Sequence, residues 1–449
     1  MSTPDLEAHI RGTSRYIDDM ADPAGLLHAA AVTSPLPHAR LVSIDPSQTL
    51  DLPGVVAVMT AGDIPGANQI GGIIQDEELF AETAVHFIGQ PVAVVVAETS
   101  HQARAGARSC ALELEELPAI FDAREAAAAG ELITAQRTLE NGDVDAAWDN
   151  CDVIVEGSAE TAGQEHLYLE TQAALALPEE GGRIKLFSST QAPTAVQKIT
   201  ARVLGLPMNL VEVEVTRLGG AFGGKEDQAT PWAVMAALAA QRTGRPVRLT
   251  LNRHEDMCFT GKRHPYSSDF KLGLKADGTI LAYEVHLWQN AGAAADLSPA
   301  ILERSLFHAT GSYFVPNARI HASSCRTNLV PFTAFRGFGA PQAMFVMEAA
   351  IDRAAEVMRI SRSEVQAKNL LNEGDAFPYG MRVERSRARR SFGEAVARFD
   401  LEALEAEVDS FNAGSKLTKR GVAAMPVCFG ISFTNAMLNQ AGALVHVYT

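Results

Sequence analysis

The stretch LGGAFGGKEDQ, residues 218–228, limits what this chain can fold into more than any other. It follows NLVEVEVTRL, whose strict alternation is that of a strand with one buried and one wet face. It precedes TPWAVMAALAAQRTG, which reads as a helix with Pro231 near its first position. Strand, glycine-rich turn and helix in that order define an α/β unit whose backbone can approach a ligand closely. The spacing from Gly219 to Gly224-Lys225 is that of a phosphate-binding P-loop. That motif needs a Ser or Thr next, to hold Mg²⁺, and this chain has Glu226. A carboxylate about 4 Å from a phosphate is repelled by roughly 4 kcal/mol at an effective dielectric of ~20. No downstream Walker-B strand is evident, so an NTPase is the weakest reading. Two others stay open here. The glycines serve close packing while Glu226 complements a helix dipole, or the carboxylate reads a ligand held at the turn.

A second glycine-rich turn, TAFRGFGAPQ (333–342), stands before the amphipathic helix pattern PQAMFVMEAAIDRAAEVMRI. Taken alone, the two turns are either unrelated loops or two sides of one cofactor site. Elsewhere, GQPVAVVVAETSHQARAGARSCALELEEL reads strand, helix, strand, with Ser100 as N-cap. AALALPEEGGRIKLFSST reads as two strands about a Gly-Gly turn, and Asp277-Gly278 as the tip of a hairpin. The Ala-rich and then polar run over 121–145 reads as a linker, and GALVHVYT as a buried strand.

A formal charge of −16 over 449 residues argues against a nucleic-acid partner. The five cysteines are scattered without a C-x-x-C, so no zinc ribbon or iron–sulfur site is expected within this chain, and the thiols are expected to be reduced. A polar N-terminus and the lack of an apolar run of ~18 residues predict neither signal peptide nor membrane span, hence a cytoplasmic protein.

The blocks GGAFGGKE, TAFRGFGAPQ, SSTQAPT, ERSLFH, GQEHLYLETQAALA and FGISFTNAMLNQAGALVHVYT, with GTSRYIDD and HFIGQPVAVVVAETSHQA near the start, carry a resemblance that covers most of the chain. By them it resembles the molybdenum-binding portion of the xanthine oxidase family of molybdenum hydroxylases. The resemblance implies an α+β chain. An α/β hammerhead-like domain over 1–120 and the linker lead to a first mixed α/β molybdopterin-binding domain over 146–372. Residues 373–449 would open a second such domain, incomplete at the C-terminus and completed by another chain. The cofactor implied is molybdenum–molybdopterin, with or without an appended nucleotide. A 2Fe-2S subunit and an FAD subunit are implied as partners.

The resemblance also places residues. Gln191, otherwise a surface amide, would lie by the metal's oxo ligand. Phe222, Gly223 and Arg336 would border the metal through backbone and packing, none of them a direct side-chain ligand. Glu226 and Arg304 would be the catalytic, substrate-reading pair, with the carboxylate on ring N–H groups and the guanidinium on charge delocalised to a purine oxygen. Phe338 and Phe433, the latter otherwise core, would hold the heterocycle between one flat and one edge-on ring. Thr434 would add a hydroxyl or backbone contact. The reaction implied is oxidation of hypoxanthine or xanthine to urate with oxygen from water. Another N-heterocycle, such as nicotinate, or an aldehyde is the alternative. Ala340 departs from the family's Gly after RGFG. The family's general base, a glutamate, belongs to a segment C-terminal to these residues, so the chain is expected not to turn over alone, as either a split subunit whose partner completes the pocket or a truncated product.

Overall fold

The computed structural model describes residues 4–434, 439, 441–443 and 445–447. A seven-stranded sheet runs in the order Val211–Glu214, Arg183–Ser188, Ala173–Glu179, Val247–Thr250, Leu27–Thr33, Pro91–Ala97, Val55–Thr60. Leu27 pairs with Val247 in parallel, so one sheet joins strands from both sides of the expected linker. The central strand Pro91–Ala97 is buried from Val92 to Ala97, which its continuous apolar run requires of a strand covered on both faces. Val94 and Val96 join the core cluster of helix Thr230–Thr243. Val95 faces the helix Ser100–Ser109, where a Cβ on Gly106 would lie 2.9 Å from Val95 Cγ1. Thr99, not Ser100, caps that helix, its side chain accepting from Gln102 N–H.

The helix Thr230–Thr243 is buried from Trp232 through Ala240, with five alanines in that run letting it press against the sheet. It fixes where the preceding glycine turn must emerge. The predicted turn at Gly181-Gly182 joins the antiparallel strands Ala173–Glu179 and Arg183–Ser188.

A five-stranded mixed sheet follows in the order Leu132–Asn141, Asn317–Arg326, Ile280–Gly292, Tyr266–Leu274, Val153–Thr161. Its hairpin turns at Asp277-Gly278, with Gly278 at φ +86°. One face packs against the helices Ser298–Phe307 and Ala340–Met358 through Val285, Leu287, Ile320, Leu302 and Val346. The short helices Ala123–Ala129 and Val144–Trp148 lie on the other face. Residues 121–145 are therefore not a structureless linker: they hold one of these helices and an edge strand antiparallel to Asn317–Arg326. The strand went unseen because half of its residues are exposed and none is fully buried, which removes the apolar signal.

A small sheet of Ala84–Val85, Ala39–Asp45 and Ala111–Glu116 completes the N-terminal part. Beyond 373, the helices Ala388–Phe399 and Leu401–Gly414 are followed by described residues without regular structure. The strand expected at GALVHVYT is absent from the described residues there, and Val445 and Val447 are exposed. Among the described residues no helix is long and apolar enough to cross a membrane.

Candidate active site

The first glycine turn is tied to two other segments. Gly219 N–H donates to Glu170 Oε2 at 2.9 Å. Gly223 and Lys225 N–H donate to Gln191 Oε1 at 2.9 and 3.4 Å, and Gln191 N–H donates to the Lys225 carbonyl at 2.7 Å. Lys225 is wholly buried. Its ammonium donates to the Glu170 carbonyl at 2.7 Å, to Glu170 Oε2 at 3.1 Å and to Ser189 Oγ at 2.5 Å, and it sits 4.6 Å from the Tyr168 ring centroid. Burial lowers its pKa, with Glu170 pulling the other way. A lysine saturated by protein acceptors cannot also neutralise phosphate. The helix, moreover, begins only at Thr230, five residues on. The P-loop reading fails on both counts.

The second turn packs onto the first. Arg336 N–H donates to the Phe222 carbonyl at 2.9 Å. His166 lies beneath both: its Nε2–H donates to the Ala334 carbonyl at 2.7 Å, and its ring is 4.6 Å from that of Phe335. Burial holds this imidazole neutral, with a pKa pushed down to about 4. Phe222 (φ +57°) and Phe338 (φ +52°) both adopt the left-handed region, each flanked by a positive-φ glycine. Each costs of order 1–3 kcal/mol and persists only where the surroundings enforce it. A Cβ on Gly223 (φ +103°) would lie 2.7 Å from the Ala334 oxygen. Gly223→Ala is therefore expected to push the turns apart and destabilise the fold by about 2–4 kcal/mol, read as a lowered thermal midpoint.

Between the turns lies an open cleft of about 460 Å³, lined among others by Gln191, Phe222, Gly223, Glu226, Arg336 and Phe338. All six were picked from the sequence. Because Gln191 Oε1 is taken by two backbone donors, its amide nitrogen is left over, and it donates to no group among the described residues. The Glu226 carboxyl has no hydrogen-bond or ion-pair partner among them either. Burial, and secondly the charge of Asp227, push its pKa up to about 7. Asp227 is itself raised to about 6 by burial. Further back, burial and neighbouring acids raise Asp296 and Glu77. Asp296 is anchored by Gln228 Nε2 at 2.9 Å and Thr333 Oγ1 at 2.7 Å. A larger groove of about 640 Å³, lined by Asp18, Asp19, Tyr168, Glu170 and Leu169 among others, borders the same glycine turn, but of the expected site residues it contains only Phe222.

The other three expected residues sit beside the cleft. Arg304, buried, has its guanidinium 5.7 Å from the Phe338 ring centroid, and it donates to the carbonyls of Gly430 and Ser432. Phe433 meets Phe338 edge-to-face, with centroids 5.5 Å apart and planes at 88°. Thr434 points elsewhere, its hydroxyl donating to Glu303 Oε2 at 2.8 Å. Sequence reasoning missed Lys225, Glu170, His166 and Asp227 as the residues that shape the site. The available signal was their presence inside the quoted blocks, not any periodicity.

Residues 127–370 match the family model for the molybdopterin cofactor-binding domain. Residues 11–118 match that for the aldehyde oxidase and xanthine dehydrogenase a/b hammerhead domain. The chain belongs to the xanthine oxidase family of molybdenum hydroxylases. It is 41% identical to xanthine dehydrogenase of Oryza sativa subsp. japonica over 98% of its length, and 40% identical to xanthine dehydrogenase/oxidase of Mus musculus over 99%. It spans 32% and 34% of those two proteins. Among solved structures it is similar to aldehyde oxidoreductase from Desulfovibrio gigas, with 30% identity and a TM-score of 0.84 over 92% of this chain and 47% of that one. It is also similar to quinoline 2-oxidoreductase from Pseudomonas putida 86, with 27% identity and a TM-score of 0.83 over 91% and 55%. The mixed α/β fold, hammerhead-like part followed by molybdopterin-binding part, agrees with that membership. The residues present fit such a cofactor: the Gln191 amide nitrogen, unpaired among the described residues, lines the cleft and can donate to an oxygen or sulfur acceptor, and Gly223 lets the two turns approach more closely than a side chain would permit.

Proposed function

We propose that this chain is the molybdenum-site subunit of a purine hydroxylase, oxidising hypoxanthine or xanthine toward urate. The observation that carries the reading is Glu226: a half-buried carboxyl with no protein partner among the described residues, facing the cleft between the glycine turns. Burying a carboxyl and leaving it unpaired costs stability, so its retention fits a ligand that supplies the missing hydrogen bonds.

Gln191, Phe222, Gly223 and Arg336 would hold the molybdenum–molybdopterin. When bound, that group supplies the centre that accepts the electrons of the oxidation. Gln191 Nε2 donates into the cleft, and the turn backbone sets how closely the substrate approaches. Glu226 accepts from ring N–H groups and fixes the orientation of the purine. Arg304, reached across Phe338, stabilises negative charge delocalised onto a purine oxygen, and to do so it exchanges the carbonyls of Gly430 and Ser432 for substrate. Phe338 and Phe433 already stand at right angles, one able to lie flat on a heterocycle while the other presents an edge. Thr434 would contribute through its backbone, its hydroxyl being engaged by Glu303.

We place a 2Fe-2S subunit, an FAD subunit and a chain completing the molybdenum pocket around this one, in the cytoplasm. Five scattered cysteines without a C-x-x-C suit a reducing compartment.

The engaged guanidinium of Arg304, and the similarity to an aldehyde and a quinoline oxidoreductase, favour oxidation of an aldehyde or another N-heterocycle as the second reading. Steady-state kinetics on xanthine, hypoxanthine, nicotinate and an aromatic aldehyde separate the two. Under the purine reading, Arg304→Met lowers kcat/KM for xanthine by about 10²-fold, the loss of a charge-stabilising donor, and spares or raises that for the aldehyde. A wild-type complex that prefers the aldehyde supports the second reading.

A further inference from the structure

On the face of the five-stranded sheet away from the long helix, alternation along Ile280–Gly292 sets Glu284, His286 and Trp288 side by side. Along Asn317–Arg326 the same face carries Arg319 and His321, and His286 and His321 are direct register partners across the parallel pair. Their rings lie 4.3 Å apart. One donor atom from each of Glu284, His286 and His321 falls within 4.8 Å of the other two. The short helices Ala123–Ala129 and Val144–Trp148 flank this patch without covering the trio, which stays partly exposed.

We propose that Glu284, His286 and His321 bind a single divalent transition-metal ion of the Zn²⁺ class, with a fourth position open to water. Two imidazoles and a carboxylate are a ligand set that Zn²⁺ accepts, and a cross-strand pair plus its i−2 neighbour presents them from one rigid surface. Ligating histidines usually have the second ring nitrogen fixed by a partner. Here the Thr138 hydroxyl lies 3.0 Å from His321 Nδ1, in register on the adjoining strand, and accepts Nδ1–H, which leaves Nε2 for the ion. Gln136 Nε2 is 3.3 Å from that nitrogen, and with Nδ1 protonated the Gln136 amide turns over so that Oε1 is the second acceptor. The other charges around the site are Arg319, Glu140 and Asp145 on one side and, on the adjoining strand, Lys271 opposite Glu284 and Asp269 opposite His286. Lys271 is paired with Glu156 at 3.3 Å and Asp269 with Arg124 at 2.7 Å. Arg319 bonds tightly to Glu140 and Asp145, at 2.8 Å each, and only loosely to Glu284, at 3.9 Å, so Glu284 can turn to an ion. The site stands apart from the cleft and would clamp the two central parallel strands.

The test is calorimetric titration of Zn²⁺ into the purified complex after EDTA treatment, with Co²⁺ absorption reporting the ligand field. One Zn²⁺ per chain with micromolar or tighter affinity is expected. His286→Ala or His321→Ala would weaken it at least ~100-fold, and Thr138→Val about 10-fold. His321→Gln, which keeps a polar group toward Thr138, controls for misfolding and should lose the ion equally. Absence of stoichiometric Zn²⁺ binding, or binding unchanged in the His286 and His321 variants, would overturn the site.

Discussion

Glu226→Gln in the purified complex is expected to lower kcat/KM for xanthine by about 10²–10³-fold while the molybdenum content stays at the wild-type level. The variant keeps the shape of the side chain and removes its charge, so the loss isolates the electrostatic part of substrate reading. Its pH behaviour supplies a second check. With a folded-state pKa of about 7, the carboxylate is the major form only above that pH, so wild-type kcat/KM for xanthine should rise through pH 7. That limb should vanish in Glu226→Gln. Stability runs the opposite way. The group binds a proton more tightly folded than unfolded, so its contribution is present below about pH 4.5 and is lost as the pH climbs to 7. Removing the ionisable group relieves up to ~3 kcal/mol at pH 8, and Glu226→Gln should melt higher than wild type there. A variant both more stable and less active is what a carboxyl buried for a ligand predicts. One whose kinetics match wild type at every pH would remove Glu226 from the site.

The second large effect is expected at Lys225. Replacing it with Met removes a buried ammonium and leaves the Glu170 carboxylate with only Gly219 N–H and Ser189 Oγ–H. Breaking a buried pair from one side costs about 3–5 kcal/mol, because the remaining charge stays desolvated. The three segments meeting at this ammonium also build the cleft wall, so cofactor retention should fall with the thermal midpoint. Thermal unfolding and metal analysis of the same preparation read both. ATP with Mg²⁺ should shift neither quantity. Unchanged stability and molybdenum content in Lys225→Met would mean that the knot around this lysine is not what holds the cleft open.

Local pattern carried much of the fold. The Gly181-Gly182 and Asp277-Gly278 turns, the helix after Pro231 and the buried strand Pro91–Ala97 each announce themselves within ten or so residues. The strand Leu132–Asn141 did not, because one exposed face and an Ala-rich neighbour imitate a linker. The sheet's passage across that region was equally hidden, since Leu27 and Val247 pair over a separation that no periodicity records.

In the site, the two glycine turns and Glu226 stood out as departures from a motif they half matched. The roles of Gln191, Arg304 and Phe433 came only by resemblance. What ties them together is long-range. Lys225 reaches back to Glu170 and Ser189, and His166 reaches forward to Ala334 across 168 residues. A buried lysine and a buried neutral histidine look in sequence like surface residues, because the partners that make their burial tolerable lie elsewhere in the chain.

The central claim is that the cleft between these turns holds molybdenum and presents it to a purine. It is tested most directly by purifying this chain gently with whatever accompanies it, measuring molybdenum, iron and flavin per chain, and adding xanthine anaerobically. The account predicts about one molybdenum per chain, with iron and flavin on co-purifying polypeptides, and bleaching of their absorbance by xanthine that Glu226→Gln slows in proportion to its kcat/KM. A folded chain without molybdenum, or a molybdenum-replete complex that an aldehyde reduces and xanthine does not, would contradict it.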